Sequence, residues 1–133
     1  MPEITVGTQI PSLQLPSISR TTLALFAGAS GDHNPIHIDS DFAKKAGMPD
    51  VFAHGMLSMA YLGRMLTAWQ PQSTLRRFSN KFSAITQLHD VITCSGEVIE
   101  IVTDGEETIA RCAIQAADTQ GKQTLIGEAL ITI

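Results

Sequence analysis

Cysteine is scarce in this sequence, charge is sparse, and long apolar runs are missing altogether. The two cysteines, Cys94 and Cys112, stand alone without a C-x-x-C or other metal-ligand spacing. Both fall in segments that read as strands, which predicts two free, buried thiols and a cytoplasmic chain. Only 17% of residues are charged, and the mean hydropathy is slightly positive at +0.11, which excludes a solvated, disordered chain. No stretch of about 18 uninterrupted apolar residues occurs, so neither a membrane-spanning helix nor a membrane partner is expected. The start, Met1-Pro2-Glu3-Ile4, has no basic segment leading into an apolar run, and no secretory signal is expected. Positive charge is outnumbered, with nine Lys and Arg against thirteen Asp and Glu and a net charge of −4, which argues against a nucleic-acid partner. Repeats, linkers and low-complexity stretches are also missing.

What remains is 133 residues with 44% hydrophobic content, the size of one domain. A chain of this mass folds to a surface of about 6,800 Å² from about 20,700 Å² unfolded, enough burial for a core without disulfides or a structural metal. The charges are unevenly spread. Lys44, Lys45, Arg64, Arg76, Arg77 and Lys81 face one acid, Asp50, between positions 44 and 81. That segment carries +5 and the rest of the chain −9. A locally basic face on an acidic protein can steer a compact polyanion, although a solvated face of unrelated neighbours has the same composition.

The first 18 residues read as loose: Ile4-Thr5-Val6 can form a short strand, but Gly7, Pro11 and Pro16 interrupt anything longer. A helix is predicted from Ser19 as N-cap, with Leu23, Phe26 and Ala27 on one face and Gly31 ending it. A second, short helix follows from Asp39 or Ser40 to Gly47. From Met56 to Trp69 the apolar positions surround the helix instead of forming one stripe, so it is expected to be buried on most sides and to end at Pro71. Period-two alternation begins at Arg77-Phe78-Ser79-Asn80-Lys81-Phe82 and recurs over 92–98. The parity then switches at Ile99 and Ile101, which predicts a bulge. Asp104-Gly105 and Gln120-Gly121 are hairpin turn signals between the last three strands, the second and third of which run over 108–116 and 125–133. One buried helix and a run of antiparallel strands make an α+β domain, a curved sheet wrapped around the helix. Segment 19–50 then lies outside the core and is free to carry a site.

Two clusters concentrate the chemistry. In Ser30-Gly31-Asp32-His33-Asn34-Pro35-Ile36-His37-Ile38-Asp39, Pro35 drives Asn34 out of helical geometry. The resulting kinked loop can turn Asp32 and His37 towards one water, a pair suited to general acid–base work. Asp32 and Asn34 are equally turn formers, and His37 can be an ordinary surface histidine. In Phe52-Ala53-His54-Gly55-Met56, Gly55 stands at the start of the buried helix, where free N–H groups and the helix dipole can bind an oxyanion. An ordinary helix start, with His54 packing or capping, reads the same residues. His37-x-Asp39 with His54 formally matches a two-histidine, one-carboxylate iron triad, but Asp39 is better placed to cap a helix, and no metal site is predicted.

The run Phe26-Ala27-Gly28-Ala29-Ser30-Gly31-Asp32-His33-Asn34-Pro35-Ile36-His37-Ile38-Asp39, with Ala43, resembles MaoC-like (R)-specific enoyl-CoA hydratases and 3-hydroxyacyl-thioester dehydratases. Ala53-His54-Gly55-Met56-Leu57 matches that family's second landmark, and Gly127-Glu128-Ala129 its closing strand. The resemblance implies one hot-dog domain over residues 1–133, with an extra helical segment carrying the catalytic loop. It implies a homodimer that completes the sheet and active-site tunnel. It also implies reversible syn addition of water to a trans-2-enoyl thioester, on coenzyme A or acyl carrier protein, within fatty acid metabolism. Asp32, His37 and Gly55 are then the catalytic residues, with Asp32 as base, His37 delivering a proton and Gly55 N–H holding the thioester oxygen. Asn34 and His54 support them. No metal or redox cofactor is implied. Arg64, Arg76, Arg77 and Lys81 become the candidates for the coenzyme A phosphates. One departure stands out: where some members carry a serine beside the carboxylate, this chain has Gly63, and Ser58 is the alternative support. A hot-dog acyl-CoA thioesterase and a non-catalytic acyl-thioester-binding subunit are the competing readings.

Overall fold

The computed structural model describes residues 2–133. Its elements follow the order β1 (Gln9–Gln14), α1 (Arg20–Ser30), a 3-10 turn (Pro35–His37), α2 (Ser40–Lys45), α3 (Gly55–Trp69), β2 (Leu75–Phe82), β3 (Thr93–Asp104), β4 (Glu107–Ala117) and β5 (Gln123–Thr132). The strands form one antiparallel sheet in the order β1-β3-β4-β5-β2, with β1 and β2 at the edges. Helix α3 packs against β1, β2, β3 and β4, the long helix and wrapped sheet of a hot-dog. Among the described residues, no helix is long and apolar enough to cross a membrane.

The hairpins form where turn chemistry places them. Asp104 pairs with Glu107 around Gly105 at φ 61°, and Gly121 at φ 83° turns β4 into β5. The parity switch in β3 is a bulge: the register shifts between Val98 and Glu100. Val98 and Ile101 both reach the core while Ile99 stays exposed.

Three expectations need correction. Ile4-Thr5-Val6 is not a strand, because Thr5 and Thr8 close a turn around Gly7 through Thr8 N–H to Thr5 C=O at 3.0 Å. The strand lies further on at Gln9–Gln14 and contains Pro11, which an edge strand tolerates at its register shift between Ile10 and Leu13. Segment 19–50 is not wholly outside the core either, since Leu23, Ala27 and Ala43 are buried in it or against it.

The third correction bears on function. Leu57, Ser58, Leu62, Met65 and Leu66 form the buried stripe of α3, and truncating a fully buried residue such as Leu62 to alanine costs about 2–5 kcal/mol. The opposite face, with Met56, Ala60 and Arg64, is exposed in the single chain. Burial is therefore confined to one stripe, and the apolar residues that surround this helix do not bury it on most sides.

Candidate active site

The loop that carries the first cluster is built from its own side chains. Helix α1 starts at Ser19, whose side chain accepts from Thr22 N–H, and stops at Gly31 in the left-handed conformation at φ 77°. Asn34 then caps the 3-10 turn by accepting from Ile36 N–H at 3.1 Å, with Pro35 in the first helical position. Asp39 caps α2 by accepting from Asp41 and Phe42 N–H, which removes it from any ligand set.

This frame fixes the carboxylate. Asp32 Oδ1 accepts from Asn34 N–H at 3.2 Å, and Oδ2 stands 4.0 Å from Nε2 of His37. The carboxylate is half exposed while His37 is nearly buried. Nδ1 of His37 lies 2.7 Å from the Phe52 carbonyl. A carbonyl only accepts, so Nδ1 carries the proton and Nε2 is the atom presented to Asp32. Phe52 is held in turn by an antiparallel bridge to Gln87, and Ala53 N–H donates to Thr86 C=O at 2.9 Å.

His54 occupies the centre of the site. It is 1% exposed, stacks on His37 with ring centroids 3.9 Å apart, and meets Phe26 edge-on at 4.9 Å. Its Nε2 lies 3.2 Å from the Asp32 carbonyl, and its side chain makes no cap bond to α3. Burial, and then the neighbouring His37, hold its pKa below the usual imidazole value. The first-turn N–H groups of α3, beginning with Gly55, therefore have no side-chain partner. Asp32, His37 and Gly55, separated by 23 positions in sequence, are gathered around this one ring. The residues alone read His54 as packing or capping, and the family resemblance as a supporting residue of the site. The signal available was its position next to Gly55, but stacking on His37 follows only from the fold.

Donor atoms of Asp32, His37 and His54 lie within 4.8 Å of one another, a grouping that by composition could ligate an ion. Each histidine spends one ring nitrogen on a backbone carbonyl and keeps the other free.

Two pockets adjoin the cluster. One, of about 440 Å³, is lined by Phe26, Asp32, Met56, Met59, Gly63 and Phe78 and is apolar apart from its Asp32 and Ser30 end. The other, of about 340 Å³, runs past Gly55, Phe82, Ala84 and Thr86. A Cβ at Gly55 would lie 2.8 Å from the Phe82 ring, so a larger residue there forces that ring or the start of α3 to move.

Two of the expected site residues are placed elsewhere. Ser58 is fully buried with its hydroxyl 3.5 Å from that of Thr86, so it does not support Asp32. Arg76 is held in an exposed ion pair with Glu107 at 2.6 Å. Arg64, Arg77 and Lys81 are exposed and form no ion pair among the described residues.

The sequence matches the family model for the MaoC-like domain over residues 5–119. The chain belongs to that family. It is 30% identical over 119 residues to the (R)-specific enoyl-CoA hydratase of Rhodospirillum rubrum, covering 88% of this chain and 81% of that one. It is 33% identical over 111 residues to the fatty acid synthase beta subunit TOXC of Cochliobolus carbonum, 80% of this chain but a twentieth (5%) of that far longer one. Among solved structures it superimposes on the R-hydratase PhaJ1 of Pseudomonas aeruginosa with a TM-score of 0.85 and 31% identity, covering 97% of this chain and 81% of that one. The MaoC-like fold here extends past the matched residues, since β5 pairs with both β4 and β2.

Proposed function

We propose that this MaoC-like protein is an (R)-specific enoyl-thioester hydratase and 3-hydroxyacyl-thioester dehydratase, a hydro-lyase acting on acyl groups carried by coenzyme A or acyl carrier protein. The observation that carries the reading is the 4.0 Å gap between Asp32 Oδ2 and His37 Nε2, beside the open first turn of α3. The gap is too long for a direct hydrogen bond. It suits one water that contacts both groups at about 2.8 Å with about 90° between the two contacts.

In the hydration direction the water oxygen attacks the β-carbon of the enoyl thioester while Asp32 takes one of its protons. His37, protonated at Nε2, delivers a proton to the α-carbon on the same face, so the addition is syn. The electron pair of the double bond passes through an enolate whose oxygen is stabilised by the Gly55 N–H. A proton then returns from Asp32 to His37 through the next water, and the cycle closes with one water added. Asn34 holds Asp32 Oδ1 and leaves Oδ2 for the reaction.

The same reading assigns the 440 Å³ apolar pocket to the acyl chain and the pocket beside Gly55 and Phe82 to the thioester end of the carrier arm. Arg64, Arg77 and Lys81 remain for the carrier's anionic groups. The whole chain acts as one hot-dog domain, and a second copy covers the open face of α3. Support for the homodimer comes from the unpaired outer edge of β2, the exposed Met56 and Ala60, and a surface of 7430 Å² where a monomer of this mass averages about 6,800 Å². The two free, buried cysteines support a cytoplasmic location.

Crotonyl-CoA and longer trans-2-enoyl-CoAs test the assignment. Hydration removes the enoyl absorbance without releasing thiol and yields the (R)-3-hydroxyacyl product. Thiol release with the double bond intact identifies a thioesterase, and binding without turnover identifies a non-catalytic subunit; either result overturns the reading.

A further inference from the structure

We propose that His54 is a positioning residue of this hydration, a neutral imidazole that fastens the Asp32 loop to the start of α3 and stacks beside the proton donor His37. The inference rests on the hydratase reading of the site and adds to it a residue that touches neither water nor substrate.

Geometry fixes the tautomer. Nε2 of His54 faces the Asp32 carbonyl at 3.2 Å, and a carbonyl only accepts, so the proton is on Nε2. Nδ1 is buried and meets no partner among the described residues. As a bare lone pair it is tolerated there. Protonated, it would become a buried donor with no acceptor on a newly charged ring, two penalties at once. The stacked His37 adds a third, because two imidazolium rings 3.9 Å apart repel. The titratable groups acting on His54 are His37, from the 3-10 turn, and Asp32, from the loop before it; α1 contributes the Phe26 ring. Burial and His37 both lower its pKa, in agreement with the geometry.

The consequence is positional. Through one hydrogen bond, one ring stack and one peptide link to Gly55, His54 ties together the base, the proton donor and the oxyanion donor. A displacement of about 1 Å among such groups costs about 100-fold in rate.

Two measurements test this on the full chain. Nitrogen-15 histidine NMR from pH 5 to 9, with the His54 resonances assigned by their loss in His54→Gln, reads the tautomer directly. The expected result is a neutral Nε2–H ring at every pH; titration in the ordinary imidazole range, or an Nδ1–H ring, overturns the proposal. The kinetic arm uses crotonyl-CoA. His54→Phe keeps a ring in the stack but loses the donor, and is expected to lower kcat about 100-fold with KM within about twofold. His54→Gln returns an N–H to the same place and is expected to recover at least about tenfold of that loss. A folded His54→Phe that keeps wild-type kcat, or a His54→Gln no better than His54→Phe, overturns it. His33→Gln, an exposed histidine on the same loop, is the control. If the wild-type protein does not hydrate crotonyl-CoA, the hydratase reading fails, and NMR still decides the state of His54.

Discussion

Oδ2 of Asp32 and Nε2 of His37 stand 4.0 Å apart, and each is the free atom of a group whose other polar atom is already engaged. Asn34 N–H occupies Oδ1, and the Phe52 carbonyl occupies Nδ1. The loop and the 3-10 turn therefore spend one hydrogen bond on each side chain to aim its remaining atom at a shared point. Two groups pre-aimed in this way suffer little reorganisation when a water binds between them.

Removing either aimed atom is expected to stop hydration without unfolding the protein. Asp32→Ala and His37→Ala should each lower kcat by at least about 1,000-fold, within the range that general acid–base groups contribute. Asp32 is half exposed and carries no packing, so its variant should melt within a few degrees of wild type. His37→Ala loses the Phe52 bond and its ring stack and should melt lower. Steady-state rates on crotonyl-CoA together with circular dichroism melts separate the two effects. If a folded variant keeps most of its activity, the pair is not the catalytic centre.

Gly55 is expected to resist substitution for a reason that can be reversed. In Gly55→Ala the new Cβ starts 2.8 Å from the Phe82 ring, so either the ring or the start of α3 must move. Phe82 is 51% exposed, and the ring has solvent to swing into. Gly55→Ala should lower kcat about 10- to 100-fold by displacing the oxyanion donor. The double variant Gly55→Ala with Phe82→Ala should recover part of that loss. No recovery would mean that the missing Cβ leaves room for substrate, not for Phe82.

Much of this arrangement is legible in the sequence, and the limits have physical causes. Asp32, Asn34 and His37 stand out because Pro35 dictates a kinked loop whatever surrounds it. The β3 bulge was readable because side-chain parity reports it directly. The strand Gln9–Gln14 was not, since Pro11 argues against a strand everywhere except at a sheet edge, and edge position is a property of the assembled sheet. The fate of Arg76 depends on the register that brings Glu107 of β4 opposite the β2 end of the sheet. The role of His54 depends on a stack between residues 17 apart, and no local pattern encodes it.

Gly63 gives a test of the acyl pocket. It lines the apolar cavity with Phe26 and Phe78, and a Cβ there would lie 3.4 Å from the Phe78 ring, a tight but bearable contact. Gly63→Ala should fold normally and change rates little. Gly63→Leu projects further and should fill the cavity. It should reduce kcat/KM for an eight-carbon enoyl-CoA at least about tenfold more than for crotonyl-CoA. Equal losses on both substrates would place the acyl chain outside this pocket.

The two thiols provide a check on the core that is independent of activity. Cys94 and Cys112 are both 0% exposed, and burial pushes their pKa values up to about 12 and about 11. The thiolate is the reactive form, so in the native protein both should be inert to dithionitrobenzoate at pH 8. In denaturant both should react within seconds. The sign of the pH effect follows from the raised values. The folded state keeps both protons where the unfolded chain, near pH 9, begins to lose them. Alkaline conditions therefore favour the unfolded state progressively above the unfolded pKa, until the folded-state values of about 11 and 12 are passed. Labelling of folded protein should accelerate from pH 7 to pH 10 only as fast as global opening allows. Rapid native labelling of either residue at pH 8 would place that thiol at the surface and contradict its burial in the core with the α3 residues.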